Sequence, residues 1–239
     1  MRYIVALVFC FCFSFVLQAQ NEEVSGFYFG PKVGPSVGFQ QWNGFERRPM
    51  FNYHAAIFME SIDADFKGAF YGQLGYHSRG SGINVASSFA NPFGESFIFR
   101  NLSLGIGIKK RLLTKTLSTP YYFVGLRAEY NVANNLTEIF ERYASTQAIF
   151  LFPIPDFVNN FTYGLTFGGG IEFLGSDLIQ PAIELSISPD VSNQYQSEAF
   201  TATNPITNQP TMIGARNIKN LSLEISLVVR FMRKVVYID

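Results

Sequence analysis

The sequence YYFVGLRAEYN at residues 121–131 alternates apolar and polar side chains. In an extended strand, successive side chains point to opposite faces. One face then carries Tyr122, Val124, Leu126, Ala128 and Tyr130, and the other carries Gly125, Arg127, Glu129 and Asn131. A soluble antiparallel sheet turns such an apolar face inward, whereas a membrane barrel turns it outward to lipid. The rest of the chain decides between the two.

Seven other segments show the same alternation and predict strands. The eight predicted strands cover residues 27–39, 51–61, 66–79, 96–110, 121–131, 160–173, 180–188 and 220–232. Pro31 and Pro35 predict irregular pairing in the first strand, because proline cannot donate a ladder hydrogen bond. Each strand has one apolar face and one polar or glycine-rich face.

The predicted connections alternate in length. Compact links cover residues 62–65, 111–119 and 174–178. Long, polar links cover residues 80–95, 132–159 and 189–219, and the first link, 40–50, is intermediate. Short turns at one rim and long loops at the other are typical of outer-membrane barrels. With an even number of strands, the first strand begins and the last strand ends at the short-turn rim, which would face the periplasm.

A soluble eight-stranded barrel of the lipocalin type is the alternative. It would turn the glycine-rich faces to water, where glycine weakens a strand. In a narrow membrane barrel, small residues make room for large inward neighbours. The glycines concerned are Gly34, Gly38, Gly105, Gly107, Gly164, Gly168 and Gly170. The predicted fold class is therefore all-β, an eight-stranded antiparallel up-and-down transmembrane β-barrel.

Residues 1–20, MRYIVALVFCFCFSFVLQAQ, have the layout of a secretory signal peptide. A membrane-anchoring helix is the alternative, but the apolar run is short for a span of about 20 residues. The predicted mature domain, residues 21–239, then lacks cysteine, because Cys10 and Cys12 both lie in the leader. We expect export and a multi-pass barrel in the outer membrane.

Composition argues against several function classes. Of the 18 basic residues, Arg2 lies in the leader, which leaves 17 against 18 acidic residues. A mature chain so close to neutrality offers no basic face for nucleic acid. The aromatic content, 26 Phe and 12 Tyr with one Trp, suits an exported all-β protein.

If the apolar faces meet lipid, many charged residues are enclosed. Eight strands leave a lumen that side chains can fill, and unpaired ions there would be costly. We therefore predict a structural network of paired charges that plugs the lumen, with a narrow ion or small-solute channel as the alternative. The predicted network is Lys32, Glu60, Lys109, Arg127, Glu129, Glu172, Glu184, Glu224 and Arg230.

Nothing in the sequence favours an enzyme, and no catalytic, cofactor or metal residue is predicted. Glu129 and Glu172 are carboxylates of the kind that hydrolases use in pairs, but the lumen leaves a substrate no room. His54 and His77 are predicted to point inward at different heights, with His54 near Gly72, so they form no metal site. A lipid-modifying outer-membrane enzyme is the least favoured alternative.

The long loops hold the predicted recognition surface. Leu136, Ile139, Phe140 and Tyr143 recur at helical spacing. The apolar run at 149–152 adds Phe150 and Phe152. It is more hydrophobic than is typical of a solvent-exposed loop. This segment is either a helix that caps the barrel mouth or a docking surface for another envelope protein. The polar stretch 189–219 is predicted to be a solvated, mobile loop.

Several segments resemble the PorT-like family of outer-membrane β-barrel proteins. The resemblance rests on QAQ at the leader's end, GFYFGPKVGPSVGF, NYHAAIFMES, FYGQLGYHSRGSGI, NLSLGIGIKKRL and YYFVGLRAEYNV. It implies an eight-stranded barrel domain integral to the outer membrane. The namesake is associated with a secretion system, so an accessory role in a protein-export or surface complex is one implied option. The family supplies no motif for a functional residue.

The last predicted strand differs from the usual pattern of outer-membrane proteins. Outer-membrane chains often finish on an aromatic residue, whereas this chain continues past Phe231 to Asp239. Residues 227–231 would then act as the final assembly signal. The predicted function is a structural or partner-binding envelope component, whose partners are outer-membrane lipid and other envelope proteins.

Overall fold

The computed structural model describes residues 25–40, 42, 46–61, 67–85, 93–112, 118–143, 152–173, 175, 179–203 and 208–235. The predicted signal peptide and Phe150 lie outside these residues. In chain order the elements are β1 (Ser25–Gln40), β2 (Glu46–Arg48), β3 (Met50–Ser61), β4 (Gly68–Val85), β5 (Phe93–Arg111), β6 (Ser118–Asn134), α1 (Leu136–Tyr143), a 3-10 turn (Pro155–Phe157), β7 (Phe161–Phe173), β8 (Ile179–Pro189), β9 (Tyr195–Ser197), β10 (Phe200–Thr203), β11 (Pro210–Ile213), β12 (Arg216–Ile218) and β13 (Asn220–Val235).

Eight long strands form a closed antiparallel barrel. Each pairs with the long strand before and after it in the chain, in the order β4, β3, β1, β13, β8, β7, β6 and β5. Pairing of β4 with β5 closes the ring, and pairing of β1 with β13 joins its first and last strands. The predicted up-and-down barrel is confirmed, and all eight predicted strands lie within or overlap these elements.

The polarity of the wall is that of a membrane barrel. On β6, Leu126 is 61% exposed whereas its neighbour Arg127 is 3% exposed. The same alternation runs along β3 and β8. Large apolar side chains cover the outside while charged ones fill the inside, which only a lipid environment makes favourable. The soluble-barrel alternative is thereby excluded.

Aromatic side chains concentrate toward the two ends of the outer wall. The outward aromatics near the short-turn rim are Phe29, Phe70, Tyr122 and Phe173, and those toward the long-loop rim are Phe51, Tyr53, Tyr130, Phe161 and Tyr163. Aliphatic residues such as Leu104 and Leu126 lie between them. Such flanking girdles are expected where a barrel crosses the two membrane interfaces. Among the described residues, no helix is long and apolar enough to span a membrane.

The prolines of β1 interrupt its pairing with β13, as predicted, but not its pairing with β3. Pairing with β3 is continuous, whereas pairing with β13 skips Gly30–Pro31 and again Gly34–Pro35. Carbonyl groups of β13 approach Gly30 and Gly34 so closely that a β-carbon would overlap with them. Glycine before each proline therefore lets the two strands stay in contact where ladder hydrogen bonds are lost.

Two predicted loops were wrong in extent or character. The link predicted at 80–95 is largely strand, because β4 runs to Val85 and β5 starts at Phe93. The stretch 189–219 contains two short antiparallel pairs, β9 with β12 and β10 with β11. Tyr195 and Ile218 from this stretch are buried. Polar composition concealed these two apolar anchors, which hold part of the loop on the barrel.

Candidate functional site: the filled lumen and its cap

The structure places all nine predicted network residues inside the barrel. Three further charged residues join them: Arg79, Arg111 and Asp190. The enclosed bases are Lys32, Arg79, Lys109, Arg111, Arg127 and Arg230, and the enclosed acids are Glu60, Glu129, Glu172, Glu184, Asp190 and Glu224. Among the described residues of the lumen, these six bases balance the six acids, as a closed space of low polarity requires.

The layer nearest the short-turn rim contains three bases and two acids. Lys109 Nζ lies 3.0 Å from Glu60 Oε2 and 2.6 Å from Glu172 Oε1. Arg111 and Arg230 each contact both carboxylates, with Arg230 Nη1 2.7 Å from Glu172 Oε2. Each carboxylate is therefore shared by three cations. We call these five residues the lower layer; it carries one excess positive charge.

A single ion pair occupies the middle of the lumen. Lys32 contacts Glu184, and the Tyr121 hydroxyl donates a 2.9 Å hydrogen bond to the other carboxylate oxygen of Glu184. The Lys109 ammonium lies over the ring of Tyr121, 3.7 Å from its centroid, a cation–π contact that links this pair to the lower layer. A cavity of about 30 Å³ remains beside the pair, which is space for a water molecule or two.

The layer toward the long-loop rim contains two bases and three acids. Arg79 Nε donates to both oxygens of Glu129, at 2.8 and 2.9 Å, and Arg79 Nη2 lies 3.4 Å from Glu224. Arg127 lies 3.2 Å from Glu129 and also contacts Asp190. These five residues form the upper layer. With histidines counted as neutral, it carries one excess negative charge, opposite to the lower layer.

The histidines correct one prediction. His54 lies directly opposite His77 across β3 and β4, and the rings stack in parallel with centroids 5.5 Å apart. The predicted partner Gly72 is wrong, because Glu60 pairs with Tyr71 and the connection is longer than residues 62–65. His77 Nδ1 lies 2.9 Å from Glu224 Oε1, and His54 Nε2 lies 2.9 Å from Ser226 Oγ. Both rings therefore belong to the upper layer's surroundings.

Inward glycines make room for this filling, as the sequence predicts. The hydroxyl of Tyr71 lies where a β-carbon of Gly125 would be, and the ring of Phe123 occupies the same position over Gly168. Gly170 is covered in the same way by Tyr121. The ends of large aromatic side chains thus lie close against the backbone of neighbouring strands, and the lumen is packed rather than open.

An apolar cap closes the long-loop end. It consists of nine buried residues: Trp42, Ile83, Phe97, Phe99, Leu136, Ile139, Phe152, Tyr195 and Ile218. Trp42 packs edge-on against Phe97 at 4.7 Å and lies 5.2 Å from Tyr195. Its indole N–H donates a 3.0 Å hydrogen bond to Gln40 Oε1, which ties the cap to the end of β1. Apolar side chains from seven separate segments therefore cover the charged lumen.

The predicted docking residues divide between the cap and its edge. The predicted helix is confirmed as α1, and it buries Leu136 and Ile139 in the cap together with Phe152. Phe140 is half-buried, and the ring of Tyr143 stacks on Phe152 with centroids 4.3 Å apart. The Tyr143 hydroxyl donates to Glu95 at 2.7 Å. In this arrangement the apolar face of α1 serves the barrel itself.

Tyr195 contributes a phenol hydroxyl to the cap. Its side chain is buried, and its hydroxyl accepts a 3.2 Å hydrogen bond from the Ile154 amide. Burial raises the pKa of the Tyr195 phenol above its ordinary value, because the phenolate would lose its hydration. The cap therefore favours the neutral phenol.

The three charged residues missing from the predicted network follow the same alternation of inward and outward side chains as the predicted ones. Arg79 lies on the predicted inward face of the third strand. Arg111 continues the inward parity of Lys109 by one step, and Asp190 continues that of Glu184. Arg111 falls in the predicted turn 111–119 and Asp190 in the predicted loop 189–219, because the predicted strands end at 110 and 188 whereas β5 runs to Arg111 and β8 to Pro189. Extending the alternation would have found both.

The described part of the chain contains no cluster of three or more His, Cys, Asp or Glu residues placed to hold a metal ion. No protein-family model matches the sequence, and no curated protein matches it.

Solved structures with a similar course of the chain include Neisserial surface protein A, with 11% identity over 88% of this chain and 99% of that one, at a TM-score of 0.45. The outer membrane protein OprG from Pseudomonas aeruginosa is 10% identical over 90% of this chain and 98% of that one, with a TM-score of 0.48. The E. coli Outer Membrane Protein W is 10% identical over 88% of this chain and 100% of that one, with a TM-score of 0.38. At these low scores, the fold assignment depends on the strand pairing described above. A closed barrel with this inside-out polarity is the outer-membrane architecture, in agreement with the predicted location.

Proposed function

We propose that the protein is a closed, non-conducting barrel that serves the outer membrane as a structural and partner-presenting component. One observation carries this proposal: the lumen is filled from end to end by two ion-pair layers, a middle pair and an apolar cap. Each of the four guanidinium groups in the lumen already contacts two carboxylates. Arg79, for example, contacts Glu129 and Glu224. A permeating ion would have to replace these contacts at high cost.

Planar-bilayer recording tests this proposal. The wild-type protein is reconstituted alongside a matched variant in which the middle pair is removed, Lys32→Ser with Glu184→Ser, and a control with an outward substitution, Ala55→Ser. We expect no resolved conductance steps from the wild type or the control. Stable, uniform steps from the wild type would overturn the plug in favour of a channel.

The partner-presenting part of the proposal concerns the long-loop rim. The β10–β11 pair forms a two-stranded ribbon separate from the barrel sheet, with Met212 75% exposed. The polar face of α1 exposes Thr137, Glu138, Glu141 and Arg142. Extraction in mild detergent followed by mass spectrometry tests for partners. Stoichiometric recovery of other envelope proteins, lost on deleting 198–215, would support this role, and recovery of the barrel alone would count against it.

The resemblance to the PorT-like family supports an envelope role and remains a prediction. An accessory function in a protein-export or surface complex would follow from it. Co-purified proteins in the same extraction identify such a complex, and secretion by a strain that lacks this protein tests the dependence. Normal secretion together with an unaccompanied barrel would remove the export role.

A further inference from the structure

Two apolar furrows lie side by side on the outer wall near the short-turn rim. One has a volume of about 770 Å³ and the other about 820 Å³, both within the roughly 300–1,000 Å³ range of ligand sites. Phe27, Met59 and Gly72 line both furrows. The first spreads toward Leu74 and Phe231, and the second toward Ile106 and Leu126. They are therefore two branches of one site that share a ridge.

Gly72 forms the shared floor. Its register partners are Met59 and Ile106, and both of these side chains point outward and are exposed. A β-carbon built on Gly72 meets nothing closer than the Gly105 carbonyl oxygen at 3.9 Å. The space over Gly72 is therefore open, and the wall is indented at this point because a side chain is missing there.

Basic side chains lie at the rim end of both branches. Arg233 lines the first furrow and is exposed. Lys110 is exposed two positions beyond Ile108 on the same face of β5, and Ile108 lines the second furrow. No acidic residue is among the described residues that line either furrow. An anionic headgroup at this rim would meet a guanidinium that can hold a phosphate by two parallel hydrogen bonds.

We propose that this indentation is a binding site for one anionic glycerophospholipid of the periplasmic leaflet. Its two acyl chains lie in the two furrows on either side of the Phe27–Met59 ridge, and its phosphate contacts Arg233. The branched shape fits a two-chain lipid better than a partner helix, which would present a single ridge. The proposal is independent of whether the lumen conducts.

Native mass spectrometry of the barrel released from vesicles tests this site. The vesicles contain phosphatidylglycerol and phosphatidylcholine with identical acyl chains. We expect the wild type to retain one phosphatidylglycerol in preference to phosphatidylcholine. Gly72→Phe fills the open space and should lower lipid retention about tenfold, a loss equivalent to a modest share of the buried apolar contact. Leu185→Phe, at an exposed outward site on β8, which contributes no residue to either furrow, is the control and should retain lipid as the wild type does.

The variant Arg233→Gln tests recognition of the headgroup separately from binding of the acyl chains. It should retain lipid but lose the preference for phosphatidylglycerol, because glutamine cannot replace the charged fork. Equal retention of the two lipids by the wild type, or unchanged retention in Gly72→Phe, would overturn the proposal. So would a protein dimer that disappears in Gly72→Phe, because a second copy would then occupy the furrows. A heat-dependent gel shift verifies that each variant is folded.

Discussion

Arg79 on β4 and Glu129 on β6 meet inside the barrel across the intervening strand β5. Arg79 Nε donates to both carboxylate oxygens, at 2.8 and 2.9 Å, and each side chain is only 1% exposed. This pair lies in a layer with more acids than bases, since Glu224 and Asp190 are also present. The lower layer has the opposite excess. The two partners of one ion pair should therefore differ in how well the barrel tolerates their loss.

The first prediction is that Arg79→Gln destabilises the barrel more than Glu129→Gln. Loss of Arg79 leaves Arg127 alone against three acids, a change that should cost about 3–5 kcal/mol. Loss of the Glu129 charge leaves Arg79 with Glu224 and Arg127 with Asp190, and should cost about 1–2 kcal/mol. Urea unfolding from lipid vesicles measures both free energies. Equal losses would show that the charge count does not govern this layer.

The second prediction is that, in the lower layer, loss of an acid destabilises the barrel more than loss of a base. Glu60→Gln leaves Lys109, Arg111 and Arg230 to share Glu172. Lys109→Met keeps the length of the side chain and leaves two arginines with two carboxylates. We expect the loss of the acid to cost the larger amount, about 3–5 kcal/mol in the same unfolding measurement. A larger cost for Lys109→Met would contradict the proposed excess of positive charge.

The third prediction uses Trp42, the single tryptophan of the sequence, as a reporter of the cap. Trp42 is 2% exposed, so acrylamide should quench its fluorescence poorly. Ile139→Asp places a charge in the cap and should increase quenching severalfold while the barrel keeps its heat-dependent gel shift. Thr137→Asp, on the exposed side of α1, is the control. Equal quenching in both variants would mean that α1 does not close the mouth.

The fourth prediction concerns pH and Tyr195. Because burial places the pKa of this phenol above its unfolded value of about 10, the cap's stabilisation is complete below that pH. It is lost as the pH rises toward the folded pKa, since the unfolded segment then releases its proton first. Quenching of Trp42 should increase between pH 9 and 11, and less so in Tyr195→Phe, which keeps the ring. Identical profiles would exclude Tyr195 as the cause.

Periodicity predicted the wall of this barrel well and its ends poorly. Alternation in β6 identified both faces, because lipid and lumen impose opposite preferences at every second residue. The same parity extends to Arg111 and Asp190, but turn-like and polar neighbours hid the ends of the strands. The register of His54 could not be read from the sequence, since it depends on the geometry of the connection at 62–67 rather than on side-chain pattern.

The cap was the least predictable part. Tyr195 and Ile218 are isolated apolar residues in a polar stretch, and they are buried in the cap together with Trp42 and the two apolar residues of α1. Such contacts join segments distant in the chain and leave no local period. The helix itself was predictable from the spacing of Leu136 and Ile139, but its orientation toward the barrel was one of two alternatives.

The most direct test of the inside-out barrel is nitroxide accessibility along β6. Because both cysteines lie in the predicted leader, single cysteines can be placed in residues 21–239 and spin-labelled. Labels at positions 122, 124, 126, 128 and 130 should collide frequently with oxygen and rarely with a water-soluble nickel chelate, with the strongest contrast near 126. A label at position 137 on α1 should show the reverse. High nickel accessibility at all outward β6 positions would contradict the membrane barrel.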